Sequence, residues 1–302
     1  MSGRVTPGAQ RFLEPAVVAR MGSLELKARV IVEGFLQGLH RSPYRGFSVE
    51  FAEYRQYMPG DDPAQIDWKV YARSDRHYIR KFEEETNLPC HLLLDVSASM
   101  AYGSAGVTKL DYARYLAAAL AYLLTRQRDA VGLTAFDREV VAHFAPSTRP
   151  GHLRSLLVGL DRLVPGERTD VAGPLDRLAR MLTRRGLVLV VSDLLDDPES
   201  VITGLKRVRA RGMEVIVFQV LDPAERLFPF DRPARFRDLE TGEEVLASPG
   251  LVRDEYVAQM TRMIERYRSE LGAAGIDYVL LDTSQPLDVA LMSYLSARKR
   301  TI

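Results

Sequence analysis

The amino-acid sequence predicts an α/β fold with a doubly wound, mainly parallel sheet, preceded by a small β-rich lobe. After position 89, short continuous apolar runs such as HLLLDVS and LVLVVSD recur, as is typical of strands buried on both faces. Segments with helical periodicity separate these runs. Strands that alternate with helices favour right-handed βαβ units and a sheet covered on both faces. Before position 89 the pattern changes to alternating apolar and polar residues, which is typical of half-buried strands.

Three regions are predicted along the 302 residues. Residues 1–39 form a loose segment and a helix from about 16 to 39, which Gly22 and Gly34 interrupt. Residues 40–88 form the β-rich lobe, and residues 89–302 form the main α/β domain. The lobe has too few apolar residues to sustain a core of its own, so we expect it to pack on the main domain.

Strands of the lobe are predicted at 47–51, 68–72 and 78–82, around a turn at Pro59 and Gly60. The main domain is predicted to contain strands at 91–97, 130–136, 140–145, 187–193, 213–222 and 276–282. Its predicted helices are 109–126, 152–163, 171–185, 199–211, 254–271 and 287–297. A surface hairpin is predicted at 235–246.

Composition excludes several classes of function. The 41 basic and 40 acidic residues give a net charge of +1, which is not the basic balance of a nucleic-acid-binding protein. A single cysteine, Cys90, excludes intrachain disulfides and zinc sites built on several thiolates. The N-terminus lacks the apolar core of a signal peptide, and the longest uncharged apolar run, 115–124, is too short to span a bilayer. We therefore expect a cytoplasmic protein without a membrane span.

Polar residues follow the predicted strands at positions where a ligand site would form. Asp95, Ser97 and Ser99 come at and just after the end of the first main-domain strand, and Asp193 ends the LVLVVSD strand. Thr169 lies in a loop between two helices. The carboxyl ends of parallel strands meet at one edge of the sheet, so these side chains are predicted to converge. Two carboxylates and three hydroxyls without a soft ligand favour Mg²⁺ or Mn²⁺.

A simpler interpretation exists for each residue taken alone. Ser97 and Ser99 could cap the helix that follows them, Thr169 could cap another helix, and the aspartates could be turn residues. Only the combination of the three motifs, in this order and at these strand ends, favours a metal site over helix capping.

The combination resembles the metal-ion-dependent adhesion site of von Willebrand A domains. The resemblance implies that Ser97 and Ser99, from the first motif, and Thr169, from the second, bind the ion directly or through water. It implies that Asp95 and Asp193 act mainly through water, and that an Asp or Glu of a protein partner completes the shell. Leu194 stands where many members have glycine, a difference that removes no ligand.

The strings SPYRGFSVEFAEYRQYMPGDD, QIDWKVYAR and IRKFEEE, which precede the first main-domain strand, narrow the match. They are similar to a bacterial family of von Willebrand A-like proteins catalogued as domain of unknown function fifty-eight, often encoded beside MoxR-type AAA+ ATPases. The resemblance runs from about residue 40 to at least residue 193. It implies a non-enzymatic, metal-dependent protein-binding adaptor that works with such an ATPase in the assembly or activation of protein complexes.

Two alternatives remain. One is a Mg²⁺-dependent phosphoester hydrolase that uses Asp95 and Asp193, and the other is a scaffold that needs no metal. The hydrolase is disfavoured because no histidine, lysine or carboxylate stands out in the sequence as a general base near the proposed site. Phosphate-binding strings of the types GxxxxGK[ST] and GxGxxG do not occur, so the chain is not expected to be an NTPase or a dinucleotide enzyme.

Overall fold

The computed structural model describes residues 13–41, 53–57, 78–81, 88–104, 106–166, 171–182 and 184–299. Contacts within the chain divide it into two units: Met1–Phe35 with Leu88–Ile302, and Leu36–Asn87. Among the helices of the described ranges, none is long and apolar enough to cross a membrane.

The N-terminal helical segment is split in two. Helix α1 spans Pro15–Ala19 and helix α2 spans Leu24–Arg41, so the single helix predicted from about 16 to 39 is broken at Gly22. Gly34, where a second interruption was expected, lies inside α2 because helix interiors tolerate single glycines at a modest energetic cost.

The smaller unit contains one described pair of antiparallel strands, β1 (Glu53–Gln56) and β2 (Tyr78–Lys81). Strand β2 falls within the predicted strand 78–82, whereas β1 was not predicted. The strands predicted at 47–51 and 68–72 lie outside the described residues, and the packing of the lobe on the main domain stays a prediction.

A six-stranded sheet forms the centre of the larger unit. Its strands are β3 (Pro89–Asp95), β4 (Ala130–Phe136), β5 (Val140–Ser147), β6 (Leu187–Ser192), β7 (Glu214–Leu221) and β10 (Asp277–Asp282). Their order is β10-β7-β6-β3-β4-β5, and every neighbouring pair is parallel except β4 and β5, which form an antiparallel hairpin. The predicted mainly parallel sheet is therefore confirmed.

Helices cover both faces of this sheet. On one face α3 (Lys109–Arg126) contacts α4 (His152–Asp161) and α9 (Leu287–Lys299). On the other face α6 (Pro198–Ala210) contacts α5 (Ala172–Met181) and α8 (Pro249–Ala273). The core under the second group joins strand residues to helix residues, among them Leu93, Val190, Val217, Leu175, Leu205 and Tyr267. Helices on both faces make the sheet doubly wound, as predicted.

The segment between β7 and α8 holds one predicted and one unpredicted element. Strands β8 (Ala234–Arg237) and β9 (Glu244–Ala247) form the surface hairpin expected at 235–246. A short helix, α7 (Pro223–Leu227), precedes the hairpin and was not predicted. Its start carries a recognisable signal, since Asp222 and Glu225 form a capping box and Pro223 occupies the first turn. Helix α8 also begins at Pro249 rather than at 254, again with proline in the first turn.

Candidate functional site at the carboxyl end of the sheet

Four of the predicted site residues, Asp95, Ser97, Ser99 and Asp193, converge where two central strands end. Strands β3 and β6 are parallel neighbours with Leu94 paired to Val191, so Asp95 and Asp193 follow at the same edge of the sheet. Asp95, Ser97 and Asp193 are each fully buried. This is the convergence that the strand-end rule predicts.

Asp95 is held by protein donors on both of its carboxylate oxygens. Its Oδ1 accepts the backbone N–H of Ser97 at 2.9 Å, and its Oδ2 accepts the Ser192 hydroxyl at 2.6 Å. Burial and the nearby charge of Asp193 raise the pKa of Asp95 to about 7, although the hydrogen bonds from Ser192 and Ser97 oppose the shift. Asp95 therefore shapes the turn after β3 rather than presenting a free carboxylate.

The two serines of the first motif connect Asp95 to Asp193. The hydroxyls of Ser97 and Ser99 lie 3.1 Å apart, and the Ser99 hydroxyl donates to Asp193 Oδ2 at 2.7 Å. The capping interpretation is wrong for Ser97, which precedes a 3₁₀ turn without a side-chain capping bond. Helix α3 is capped instead by Thr108, whose side chain accepts the backbone N–H of Asp111.

The two serine hydroxyls are spaced as neighbouring ligands of a small divalent cation would be. Neighbouring ligands of an octahedral Mg²⁺, each about 2.0–2.1 Å from the ion, lie about 2.9 Å from one another. The 3.1 Å between the Ser97 and Ser99 hydroxyls is close to that spacing, whereas the 2.7 Å from Ser99 to Asp193 is the length of the hydrogen bond that joins them. The donor set therefore fits Mg²⁺ or Mn²⁺. In the part of the chain that the structure describes, no group of three or more His, Cys, Asp or Glu side chains could hold a metal, so such an ion would depend on the hydroxyls. Thr169, the remaining predicted ligand, lies outside the described residues.

A buried lysine that the sequence analysis did not single out lies beside Asp193. Lys109 is the first residue of α3, and its Nζ donates to Asp193 Oδ2 and to Glu225 Oε1, both at 2.6 Å. The side chain of Lys109 is fully buried and that of Glu225 is 15% exposed. Burial alone would lower the pKa of Lys109, but the two carboxylates outweigh it and raise that pKa. Burial raises the pKa of Glu225, and the positive charge of Lys109 only partly offsets this.

A hydrolase was disfavoured from the sequence because no lysine or carboxylate stood out near the site as a general base. The structure corrects that argument, since Lys109 and Glu225 do lie at the site. Neither is a free general base: Lys109 is an ammonium group tied to two carboxylates, and Glu225 accepts a hydrogen bond from that ammonium group. The Asp95, Asp193, Glu225 and Lys109 side chains together carry three acidic groups and one basic group.

Two tyrosines and a glutamine hold the backbone that follows Asp193. Gln219 Nε2 donates to the Asp193 carbonyl at 2.7 Å, and the Tyr278 hydroxyl donates to Gln219 Oε1. The Tyr267 hydroxyl donates to the carbonyl of Leu194 at 3.0 Å. Leu194 itself has φ 54°, in the left-handed region. This network sets the direction in which Asp193 leaves β6.

A second polar cluster lies at the ends of β7 and β10. Asp222 accepts the backbone N–H of Ser104 at 2.8 Å, the Ser104 hydroxyl, and the Thr283 hydroxyl at 3.1 Å. Burial alone would raise the pKa of Asp222, but these hydrogen bonds outweigh it and lower that pKa. Asp222 also caps α7, so this cluster fixes the helix that carries Glu225.

Comparison with known proteins identifies relatives over most of the chain. Residues 53–266, more than half of the chain, match the family described as Protein of unknown function DUF58. The uncharacterized protein Rv1480 of Mycobacterium tuberculosis is 27% identical over 292 residues, which cover 95% of this chain and 91% of that protein.

Solved structures show similarity at lower identity. The conserved hypothetical protein BatB from Bacteroides thetaiotaomicron has 18% identity and a TM-score of 0.47, with 70% of this chain and 99% of that chain covered. The SpRpn10 VWA domain has 13% identity and a TM-score of 0.39, with 68% and 93% covered. The fold assignment rests on the sheet topology described above, and the family assignment rests on the sequence match from β1 into α8: the chain belongs to the family of unknown function DUF58.

Proposed function

We propose that this protein is a non-enzymatic, metal-dependent protein-binding module that holds one Mg²⁺ or Mn²⁺ at the carboxyl end of its sheet. The observation that carries the proposal is the 3.1 Å spacing of the Ser97 and Ser99 hydroxyl oxygens beside Asp193, which suits neighbouring ligands of a small divalent cation. In this proposal Ser97, Ser99 and Thr169 supply hydroxyl ligands, and Asp95 and Asp193 lie close by.

The proposed role of the ion is to offer a partner protein an electrophilic site. Neutral hydroxyls leave much of the ionic charge unbalanced, so an incoming Asp or Glu side chain gains a strong bond where a neutral group gains little. The chain's own residues keep this site open: Asp95 is engaged by Ser97 and Ser192, and Asp193 by Ser99 and Lys109.

A MoxR-type AAA+ ATPase is the partner class that we propose from the family resemblance, with the pair working on assembly or activation of protein complexes in the cytoplasm. The alternative of a phosphoester hydrolase is less well supported. Asp95, whose pKa of about 7 would suit a general base, is fully buried with both oxygens accepting hydrogen bonds.

Calorimetric titration with Mg²⁺ and Mn²⁺ tests the metal site. We expect a Ser97→Ala, Ser99→Ala double variant to lose at least about tenfold in metal affinity, since it removes two hydroxyl ligands without changing any charge. Ser293→Ala is the matched control, because this exposed hydroxyl on α9 donates to the carbonyl of Val289 and should leave affinity unchanged. Equal metal uptake by the wild type and the double variant would refute the proposed ligands.

Partner capture tests the rest of the proposal. Proteins retained on the immobilised wild type in Mg²⁺ should be released by EDTA and should return when Mg²⁺ or Mn²⁺ is restored. Thr169→Ala should weaken this capture more than it weakens folding. Capture that persists unchanged in EDTA would favour the metal-independent scaffold, and turnover of p-nitrophenyl phosphate lost in an Asp193→Asn variant would favour the hydrolase.

A further inference from the structure

One oxygen of the Asp193 carboxylate, Oδ2, is fully occupied by donors from the protein, and the other accepts a single hydrogen bond. Its Oδ2 accepts both the Ser99 hydroxyl at 2.7 Å and the Lys109 ammonium at 2.6 Å, and its Oδ1 accepts the backbone N–H of Leu195 at 3.2 Å. A carboxylate oxygen offers about two lone-pair positions, so Oδ2 has none left for a further ligand.

Lys109 is itself anchored at its other side. Its Nζ donates to Glu225 Oε1 at 2.6 Å, and Glu225 Oε2 accepts the backbone N–H of Asp222 within the capping box of α7. Lys109 is fully buried, so moving its ammonium away from Asp193 would leave buried charges without partners. The Lys109 ammonium is therefore a fixed group at this position rather than a mobile surface charge.

We propose that Lys109 keeps Asp193 Oδ2, the oxygen beside Ser99, from coordinating the metal directly, so that the ion retains an exchangeable position for an external carboxylate. This inference rests on the proposed metal site and specifies how its charge is controlled. Without Lys109, Asp193 would be free to coordinate the ion, which would then be held more tightly and would attract a further carboxylate less strongly.

The inference predicts opposite effects on two affinities. In Lys109→Met, Mn²⁺ should bind about tenfold or more tightly, because one positive charge a few ångströms away is removed and Asp193 is released. Water-proton relaxation should then report about one fewer water on bound Mn²⁺. Acetate, as a carboxylate probe, should displace the remaining waters at a concentration at least about tenfold higher than in the wild type.

Two further variants separate coordination from net charge. Glu225→Gln leaves Lys109 on Asp193, so it should weaken Mn²⁺ binding without changing the number of bound waters. Lys206→Met is the matched control, because Lys206 is exposed and pairs with Glu270, so both quantities should stay at their wild-type values.

Lys109→Met leaves the buried Asp193 and the partly buried Glu225 without their cation and could fail to fold. The Lys109→Met, Glu225→Gln double variant avoids this, since it preserves the net charge of the cluster while still releasing Asp193. We expect it, too, to lose about one metal-bound water. If the wild type binds Mn²⁺ and the double variant keeps the wild-type water number and acetate response, this inference is wrong and the proposed function stands. If the wild type takes up no Mn²⁺, both fall together.

Discussion

Replacing Leu194 by glycine would set backbone strain against core packing at the residue that follows Asp193. Leu194 has φ 54°, a left-handed conformation that disfavours a residue with a Cβ by roughly 1–2 kcal/mol. The same side chain is fully buried and belongs to the core cluster beneath α5, α6 and α8. Truncating such a leucine to alanine costs about 2–5 kcal/mol.

The magnitudes predict that packing outweighs strain. We expect Leu194→Gly to lower the free energy of unfolding by about 2–4 kcal/mol, because the relieved strain offsets only part of the lost burial. Leu194→Ala keeps the strain but retains the Cβ, so the two variants should lie within about 1 kcal/mol of each other.

Leu205 provides the comparison, since it is equally buried in the same cluster but lies in the interior of α6. At a helical position glycine is worse than alanine by about 1 kcal/mol, apart from the loss of the buried methyl group. The difference between the Gly and Ala variants should therefore be larger at 205 than at 194 by about 1–2 kcal/mol. Urea unfolding with unchanged m-values measures all four variants. An equal difference at the two positions would disprove strain at Leu194, and a Leu194→Gly variant as stable as the wild type would disprove the dominance of packing.

Two further predictions concern the sheet. Gly132→Ala should destabilise the fold by about 1–3 kcal/mol, because its Cβ would lie 2.7 Å from the Phe144 carbonyl oxygen. Gly159→Ala is the control: its Cβ would meet only the end of the Phe144 ring, so stability should change by less than about 1 kcal/mol. Thermal or urea unfolding measures both variants. Burial, followed by the charge of His143, lowers the pKa of His91 to about 4, so the unfolded chain binds a proton that the folded protein does not between about pH 6.5 and about pH 4. The free energy of unfolding should therefore fall as the pH falls across this window, and it should fall less in His91→Gln. If the wild type and His91→Gln lose the same free energy of unfolding between about pH 7 and about pH 5, the lowered pKa of His91 is wrong.

The sheet was predictable because its strands are buried on both faces and therefore appear as uninterrupted apolar runs. The bounds of α3 and β4 were predicted as the structure has them, since a polar or turn residue flanks each apolar segment. Helix α7 was missed because five residues are too few to show helical periodicity, although the capping box at its start could have been recognised. The order of the strands comes from long-range pairing, and it is this order that places β6 beside β3.

The predicted site had the same basis. The convergence of Asp95, Ser97 and Asp193 could be predicted from the sequence, because each lies at or just after the end of a strand and the two strands end at the same edge of the sheet. The pairing of Lys109 with Glu225 could not be predicted in this way, since 116 positions separate the two residues and nothing local to either one indicates the other. The role of Ser192 was missed for a related reason: its hydroxyl donates to Asp95 only because β6 pairs with β3.

Lys109 nevertheless carries a physical signal in the sequence. It occupies the first position of a largely apolar helix, where the positive end of the helix dipole disfavours a cation. A lysine that is also fully buried there can be stable only if nearby carboxylates balance both its charge and the dipole. Asp193 and Glu225 supply these charges from the loop after β6 and from α7. Helix stability alone would favour an acidic or neutral residue at this position, so the lysine is explained by the carboxylates of the site and not by the helix that bears it.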